Sequence, residues 1–213
     1  MMKLYGYNTI NTLKVLLILL ETETTYEFHP VDIRQGEQHL PAFRTVNPVG
    51  KVPVLADRDL VLTESNAILL YLARKTSWGI QDTAGTYEKV VSWLFYQAST
   101  QGPYFGQIEY WSVLAKKPNG EAAVHFRSIA QRSVTLLETA LQDSKFLCGT
   151  DYGIADLAHF VWMRHCSSLG VSLENAPCVN KWVEAISARP ATKQALAFFA
   201  SDMFSSAPLN PDT

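Results

Sequence analysis

Apolar and polar positions change period several times over the first 76 residues and settle into one period beyond them. Lys3-Leu-Tyr-Gly-Tyr7 reads as a first strand. Asn8 to Thr12 is a polar turn that can start a helix. Leu13 to Glu21 continues it with apolar residues nearly all round, broken by Lys14, as a core helix would have. Tyr26 to Val31 reads as a second strand, and Gln35 to Val46 as a loosely helical link holding Gly36 and Pro41. Pro53 opens the apolar run Val54-Leu55; having no N–H, a proline is confined there to a strand's edge or first residue. Asp57-Arg58-Asp59 is a polar turn, and Leu60-Val61-Leu62 returns as a strand. Thr63-Glu64-Ser65-Asn66 then leads into the helical run Ala67 to Leu72, with Ser65 placed to cap it.

After Thr76 the composition changes. Ser77 to Gly85 is the best linker candidate, and no convincing strand pattern follows. Thr86 to Ala115 is a long helical stretch interrupted at Gln101-Gly102-Pro103, where a kink is expected. Pro118-Asn119-Gly120 breaks it again, and Glu121 to Leu141 resumes with Ala130, Val134, Leu137 and Leu141 at helical spacing. Gly153 to Ser168, Pro177 to Ala188 and Pro190 to Phe199 are three further helices, and Pro208 to Thr213 a frayed tail. Strand, helix, strand, link, strand, strand, helix is the order of a thioredoxin-like half, its first two strands parallel and its last two a hairpin. The expected fold is an α/β thioredoxin-like N-terminal domain (1–76), a linker (77–85) and an all-α C-terminal domain (86–213).

Composition narrows the function. The chain has 213 residues, 47% hydrophobic and 18% charged, with a net charge of −2. That is ordinary for a soluble globular protein and leaves no electrostatic footprint for nucleic acid or an anionic membrane. Leu13 to Leu20 is too short to span a bilayer, and Glu-Thr-Glu-Thr follows where a signal cleavage site would need small residues. The chain reads as intracellular. Its three cysteines, Cys148, Cys166 and Cys178, form no C-x-x-C and no disulfide framework. The five histidines show no metal-ligand spacing, so no metal is expected. G-x-G-x-x-G, the P-loop and G-x-S-x-G are absent, against nucleotide and serine-hydrolase readings.

The chemistry concentrates between Asn47 and Ala73. A cis Val52–Pro53 bond would turn the Val52 carbonyl and amide outward to pair with a peptide-like ligand. The helix start at Ser65 offers an anion site, and Glu64 a partner for an amine. Together these suit a small zwitterionic peptide with two carboxylates; an ordinary hairpin leading into a helix is the other reading of the same spacing. Val52-Pro53, Glu64-Ser65 and the following Asn-Ala-Ile-Leu-Leu-Tyr-Leu resemble the glutathione-binding half of the glutathione transferase superfamily. Gly153-Ile-Ala-Asp156-Leu is similar to the helix start used in that superfamily's helical domain, with Gly153 where Ser or Thr usually faces the Asp.

The turn between first strand and first helix faces the ligand's thiol in that superfamily. Here it reads Tyr7-Asn8-Thr9-Ile10-Asn11, and no cysteine precedes position 148, which argues against a mixed disulfide with the protein. Thr9 and Asn11 can both donate to a thiolate and lower its pKa, Tyr7 is a rival hydroxyl, and turn and N-cap chemistry alone is the plain alternative for Thr9 and Asn11. Thr9-x-Asn11, Gln38, Lys51-Val52-Pro53, Gly102-Pro103-Tyr104-Phe105-Gly106-Gln107 and Ser187-Ala-Arg189-Pro190-Ala191-Thr192 resemble the bacterial Nu class and the fungal group similar to the yeast nitrogen regulator. Ile10 and Thr12 depart from the usual Nu-class Pro and Gly.

The resemblance implies that glutathione is held by Gln38, Val52, Pro53, Glu64 and Ser65. Lys51 is a candidate for the glycyl carboxylate, and Arg132 one for reaching across a homodimer interface. A small hydrophobic substrate would lie between the domains against Tyr7, Tyr104, Phe105 and Trp111. The leading expectation is a cytoplasmic transferase that activates the glutathione thiol toward a hydrophobic electrophile. A glutathione-dependent disulfide oxidoreductase without protein cysteine is a close second. A glutathione-dependent isomerase or ether-cleaving enzyme, and a non-catalytic regulator of the same fold, are the remaining alternatives.

Overall fold

The computed structural model describes residues 1–80 and 85–201. Residues 81–84 of the expected linker and the expected frayed tail lie outside the described residues. The elements run β1 (Met2–Gly6), α1 (Ile10–Glu21), β2 (Tyr26–Pro30), two 3-10 turns (Ile33–Gln35 and Glu37–His39), α2 (Pro41–Val46), β3 (Val54–Asp57), β4 (Leu60–Leu62) and α3 (Ser65–Thr76). Then follow α4 (Thr86–Tyr96), α5 (Gly102–Glu109), α6 (Gly120–Gln142), α7 (Ile154–Met163), α8 (Pro177–Ser187) and α9 (Pro190–Phe199). By compactness the chain forms two units, Met1–Trp78 with the segment from Arg189 on, and Gly79–Ala188.

In the first unit the sheet order is β2-β1-β3-β4. β1 runs parallel to β2, with Leu4 opposite Phe28, and β3 is antiparallel to both β1 and β4. This is the mixed thioredoxin-like sheet that the element order implies. α1 buries every residue from Thr12 to Leu19, and α3 packs on it through a face that buries Ile68, Leu69, Leu72 and Ala73. Each buried Leu, Ile or Val side chain among them contributes about 1.5–3 kcal/mol by leaving water. A second cluster joins Val31, Phe43 and Val54 with Tyr5, Val46 and Val52. α9 packs against α1. Arg189, just before it, clamps Glu21 with two bonds, Nε to Oε1 at 2.6 Å and Nη2 to Oε2 at 2.7 Å. Such bidentate pairs fix geometry as well as adding energy. Division of the sequence at residues 76 and 86 groups α9 with the helical half, whereas here it closes the first unit.

In the second unit α7 is buried at all ten positions, Ile154 to Met163. α6 presents Ala130, Val134, Leu137 and Leu141 to the interior, as their spacing predicts. The break expected at Gln101-Gly102-Pro103 is a π-helical turn, Gln97–Gln101, through which the backbone stays helical. A wider turn accommodates the missing Pro103 N–H without ending the helix. Gly153 precedes α7 in extended conformation, and the Asp156 carboxylate accepts its N–H at 3.1 Å. A Cβ at Gly153 would stand 2.5 Å from the Gly79 carbonyl oxygen. That close approach, rather than a special φ, explains why a glycine stands where Ser or Thr is usual.

Candidate active site

One open cavity of about 140 Å³ in the first unit is lined by Asn11, Asn47, Val49, Lys51, Val52, Pro53, Thr63, Glu64 and Ser65. Five of the residues expected to bind ligand (Lys51, Val52, Pro53, Glu64 and Ser65) therefore meet Asn11 in one place. Chain geometry explains the gathering. α1 starts beside the end of β1, the loop before β3 carries Lys51 to Pro53, and β4 delivers Thr63 and Glu64 to the start of α3. The Val52–Pro53 bond is cis.

Asn47 shapes the loop that supplies one wall. It is buried, its Nδ2 donates to the Lys51 carbonyl at 2.7 Å, and its Oδ1 accepts from Val49 N at 3.0 Å. Gly50 follows at φ +68°, where a Cβ would meet Arg44 Nη1 at 2.7 Å and the Gln38 carbonyl at 2.9 Å. Only glycine fits that turn without displacement.

The opposite wall departs from expectation. The sequence places Ser65 as the cap of α3, but the helix begins at Ser65, and Glu64 occupies the N-cap with no side-chain capping bond. Glu64 has φ 65°, ψ 111°. A non-glycine residue held there costs about 1–3 kcal/mol, and such strain clusters at ligand sites. Released from capping, the Ser65 hydroxyl faces α1: it accepts from Lys14 Nζ at 3.2 Å and donates to Asn11 Oδ1 at 3.5 Å. Lys14 also donates to Asn66 Oδ1 at 3.3 Å.

Lys14 is only 1% exposed. Burial pushes its pKa down to about 7, against an upward pull from the Glu64 charge. Sequence reading passed over this residue as an interruption in an apolar helix. The signal was present: a lysine on an all-round apolar helix must be buried, and a buried ammonium needs partners. Asn47 was missed for a different reason, since a loop asparagine carries no periodicity.

The other expected residues do not line this cavity. Thr9 is the N-cap of α1: its Oγ1 accepts from Thr12 N at 3.1 Å and lies 2.8 Å from Thr12 Oγ1. Thr12 Oγ1 accepts from Tyr7 N at 3.5 Å. If Thr12 donates to Thr9, the Thr9 proton is left for another acceptor. Tyr7 is 4% exposed, with Arg34 Cζ 4.9 Å above its ring. Burial and the nearby Asp32 carboxylate push the Tyr7 phenol's pKa up, which makes it a poorer proton donor. Gln38 lies on the second 3-10 turn, its Nε2 3.2 Å from His39 Nε2.

The remaining four belong to the second unit. Tyr104 is half-buried and stacks on Phe126 at 6.2 Å. Trp111, also half-buried, donates from Nε1 to Gln107 at 3.0 Å. Phe105 is a correction: it has no exposed surface and packs against Trp162 at 5.7 Å, so it is core rather than pocket wall. Arg132 is exposed on α6. Burial pushes Cys148 and Cys166 each up to about 12, and the Glu138 carboxylate beside Cys178 raises that thiol too. Among the described residues no group of three or more His, Cys, Asp or Glu could hold a metal ion, and no helix is long and apolar enough to cross a membrane.

Family models for the glutathione S-transferase N-terminal and C-terminal domains match residues 1–74 and 109–190. The chain belongs to the glutathione S-transferase family. It is 34% identical to the disulfide-bond oxidoreductase YfcG of Escherichia coli (strain K12) over 92% of this chain and 94% of that protein. Among solved structures, it is similar to a glutathione transferase from Burkholderia graminis with two glutathione molecules bound per subunit (32% identity, TM-score 0.85, covering 92% and 87% of the two chains). It is likewise similar to the glutathione transferase URE2P6 from Phanerochaete chrysosporium in complex with oxidized glutathione (30% identity, TM-score 0.88, covering 93% and 96%).

Proposed function

We propose that this glutathione S-transferase family member is a glutathione-dependent enzyme that holds the tripeptide in the cavity and stabilises its thiolate with Thr9 and Asn11. The observation that carries the reading is the meeting of Asn11, Val52, Glu64 and Ser65 around one cavity. Glu64 receives the γ-glutamyl ammonium, the backbone N–H groups at the start of α3, that of Ser65 among them, the neighbouring carboxylate, and the Val52 backbone pairs with the cysteinyl unit. Lys51, exposed at the rim, meets the glycyl carboxylate. Asn11 and Thr9 donate to sulfur, lowering the thiol pKa. The raised pKa of Tyr7 supports these two over a tyrosine mechanism.

The thiolate then attacks one sulfur of a disulfide, forming a mixed disulfide with glutathione and releasing the other sulfur as thiolate. A second glutathione thiolate displaces the substrate's remaining thiol and leaves glutathione disulfide. The similarity to YfcG supports this reaction, as does the upward shift of all three protein thiols, which disfavours a cysteine nucleophile. Attack on a small hydrophobic electrophile is the second reading; it uses the same thiolate, and family membership favours it. In both readings the enzyme is a cytoplasmic homodimer, and exposed Arg132 serves the partner's ligand.

The test is turnover with glutathione on a small disulfide, an aryl halide and an activated ether, in wild type and in a variant lacking all three cysteines. The disulfide should be consumed fastest, equally in both proteins. Loss of that activity in the cysteine-free variant, if it remains folded, contradicts the proposal.

A further inference from the structure

Lys14, Ser65 and Asn11 form a chain of hydrogen bonds whose direction is set at its buried end. In its charged form Lys14 has donors and no acceptor. Lys14 Nζ, 3.2 Å from Ser65 Oγ, therefore obliges that oxygen to accept. The Ser65 proton is then available for the next acceptor, Asn11 Oδ1, 3.5 Å away at the long end of hydrogen bonding. With Oδ1 engaged, the Asn11 Nδ2 protons remain for other partners, and Asn11 lines the cavity. Without Lys14, the serine hydroxyl and the asparagine amide can each turn over, and an amide oxygen turned toward a thiolate repels it.

We propose that Lys14 is a positioning residue which, through Ser65, holds the Asn11 side chain with its N–H donors toward the glutathione thiolate. This inference rests on the reading that Asn11 donates to that sulfur. It accounts for two observations that packing leaves unexplained. A lysine is buried completely in α1, where any aliphatic residue would fill the space without a desolvation cost. And Ser65, at the first position of α3, turns its hydroxyl toward Lys14 and Asn11, while no side chain caps the helix.

The experiment measures the thiol pKa of bound glutathione, from thiolate ultraviolet absorbance at saturating ligand, in wild type, Lys14→Met, Ser65→Ala, the double variant and Asn11→Ala. Affinity for S-methylglutathione, which has no thiol, is measured alongside. Lys14→Met and Ser65→Ala should each raise the bound thiol pKa by about one unit, a roughly tenfold loss of thiolate near neutrality. The double variant should rise no further than either alone, because all three remove one chain. S-methylglutathione affinity should fall much less than the thiolate fraction. If Asn11→Ala raises the pKa but Lys14→Met does not, the inference fails and the Asn11 reading stands. If Asn11→Ala leaves the pKa at the wild-type value, the Asn11 reading fails and takes the inference with it. A loss of S-methylglutathione affinity with no pKa change would make Lys14 a support for the carboxylate end alone and overturn the proposal. Should Lys14→Met not fold, Ser65→Ala alone decides: an unchanged thiol pKa in that variant refutes the chain.

Discussion

Each unit buries a charged side chain on a helix, and the two are satisfied in opposite ways. Asp156 accepts from Leu147 N at 2.8 Å, Trp182 Nε1 at 2.9 Å and Gly153 N at 3.1 Å, all groups that the fold of the second unit must place. Lys14 donates to neutral side-chain oxygens on Ser65 and Asn66, and the chain through Ser65 reaches a residue lining the cavity. The first network closes on itself and ties the start of α7 to its surroundings. The second has an end at Asn11, which lines the cavity. A buried charge whose partners are backbone and indole donors is read as holding the fold; one whose partners lead to a cavity is read as serving it.

The largest effect should come from Asp156. Asp156→Ala leaves three buried N–H groups without an acceptor, and we expect a loss of about 3–5 kcal/mol in urea unfolding, with glutathione affinity of the surviving folded fraction little changed. A loss below about 1 kcal/mol would remove the contrast. Lys14→Met should cost far less and could stabilise, because it deletes a buried charge and keeps the volume.

The pH dependence sharpens the same contrast, since the two groups act in opposite senses. The folded pKa of Lys14, about 7, lies below the ordinary 10.5. Between those values the unfolded chain holds more protons, so stability rises with pH through that window. Below about 7 Lys14 is charged in both states, and its penalty, reduced by Glu64, is complete. Asp156 is pushed up to about 6 from 3.8. There the folded chain holds more protons, so this group's contribution to stability falls as pH rises between those values. Unfolding followed from pH 4 to pH 10 should lose the alkaline rise in Lys14→Met and keep the acid-side slope. An alkaline rise that survives in Lys14→Met assigns it to other groups.

The secondary structure was legible because its signals are local and periodic. The apolar stripe of α6, the proline opening β3 and the alternation of β1 reappear within a residue or two. The candidate site was legible where it is a sequence neighbourhood, Lys51 to Pro53 and Glu64-Ser65. It was not legible where it depends on which side chains meet across elements. The Lys14–Ser65 bond spans 51 positions and the Ser65–Asn11 bond 54, and neither has a pattern at either end. Phe105 was misread because an aromatic at helical spacing looks the same whether it faces a pocket or the core.

A smaller effect tests local crowding in the second unit. Gly153→Ser restores the usual helix start but brings a Cβ to 2.5 Å from the Gly79 oxygen. We expect a net loss of about 1–3 kcal/mol, the ordinary cost of overpacking, offset in part by the new cap. A gain in melting temperature would show that the Gly79 strand of chain yields freely.

The most direct test of the account is a calorimetric titration with glutathione of wild type and Glu64→Ala. If the cavity beside Asn11 and Ser65 is the glutathione site, wild type binds one tripeptide per chain there. Glu64→Ala should then lose about 1.5–3 kcal/mol of affinity, roughly tenfold to a hundredfold, while its melting curve without ligand shows a folded protein. Equal affinity in the two proteins, or no binding heat in wild type at millimolar glutathione with no rise in melting temperature, would contradict it.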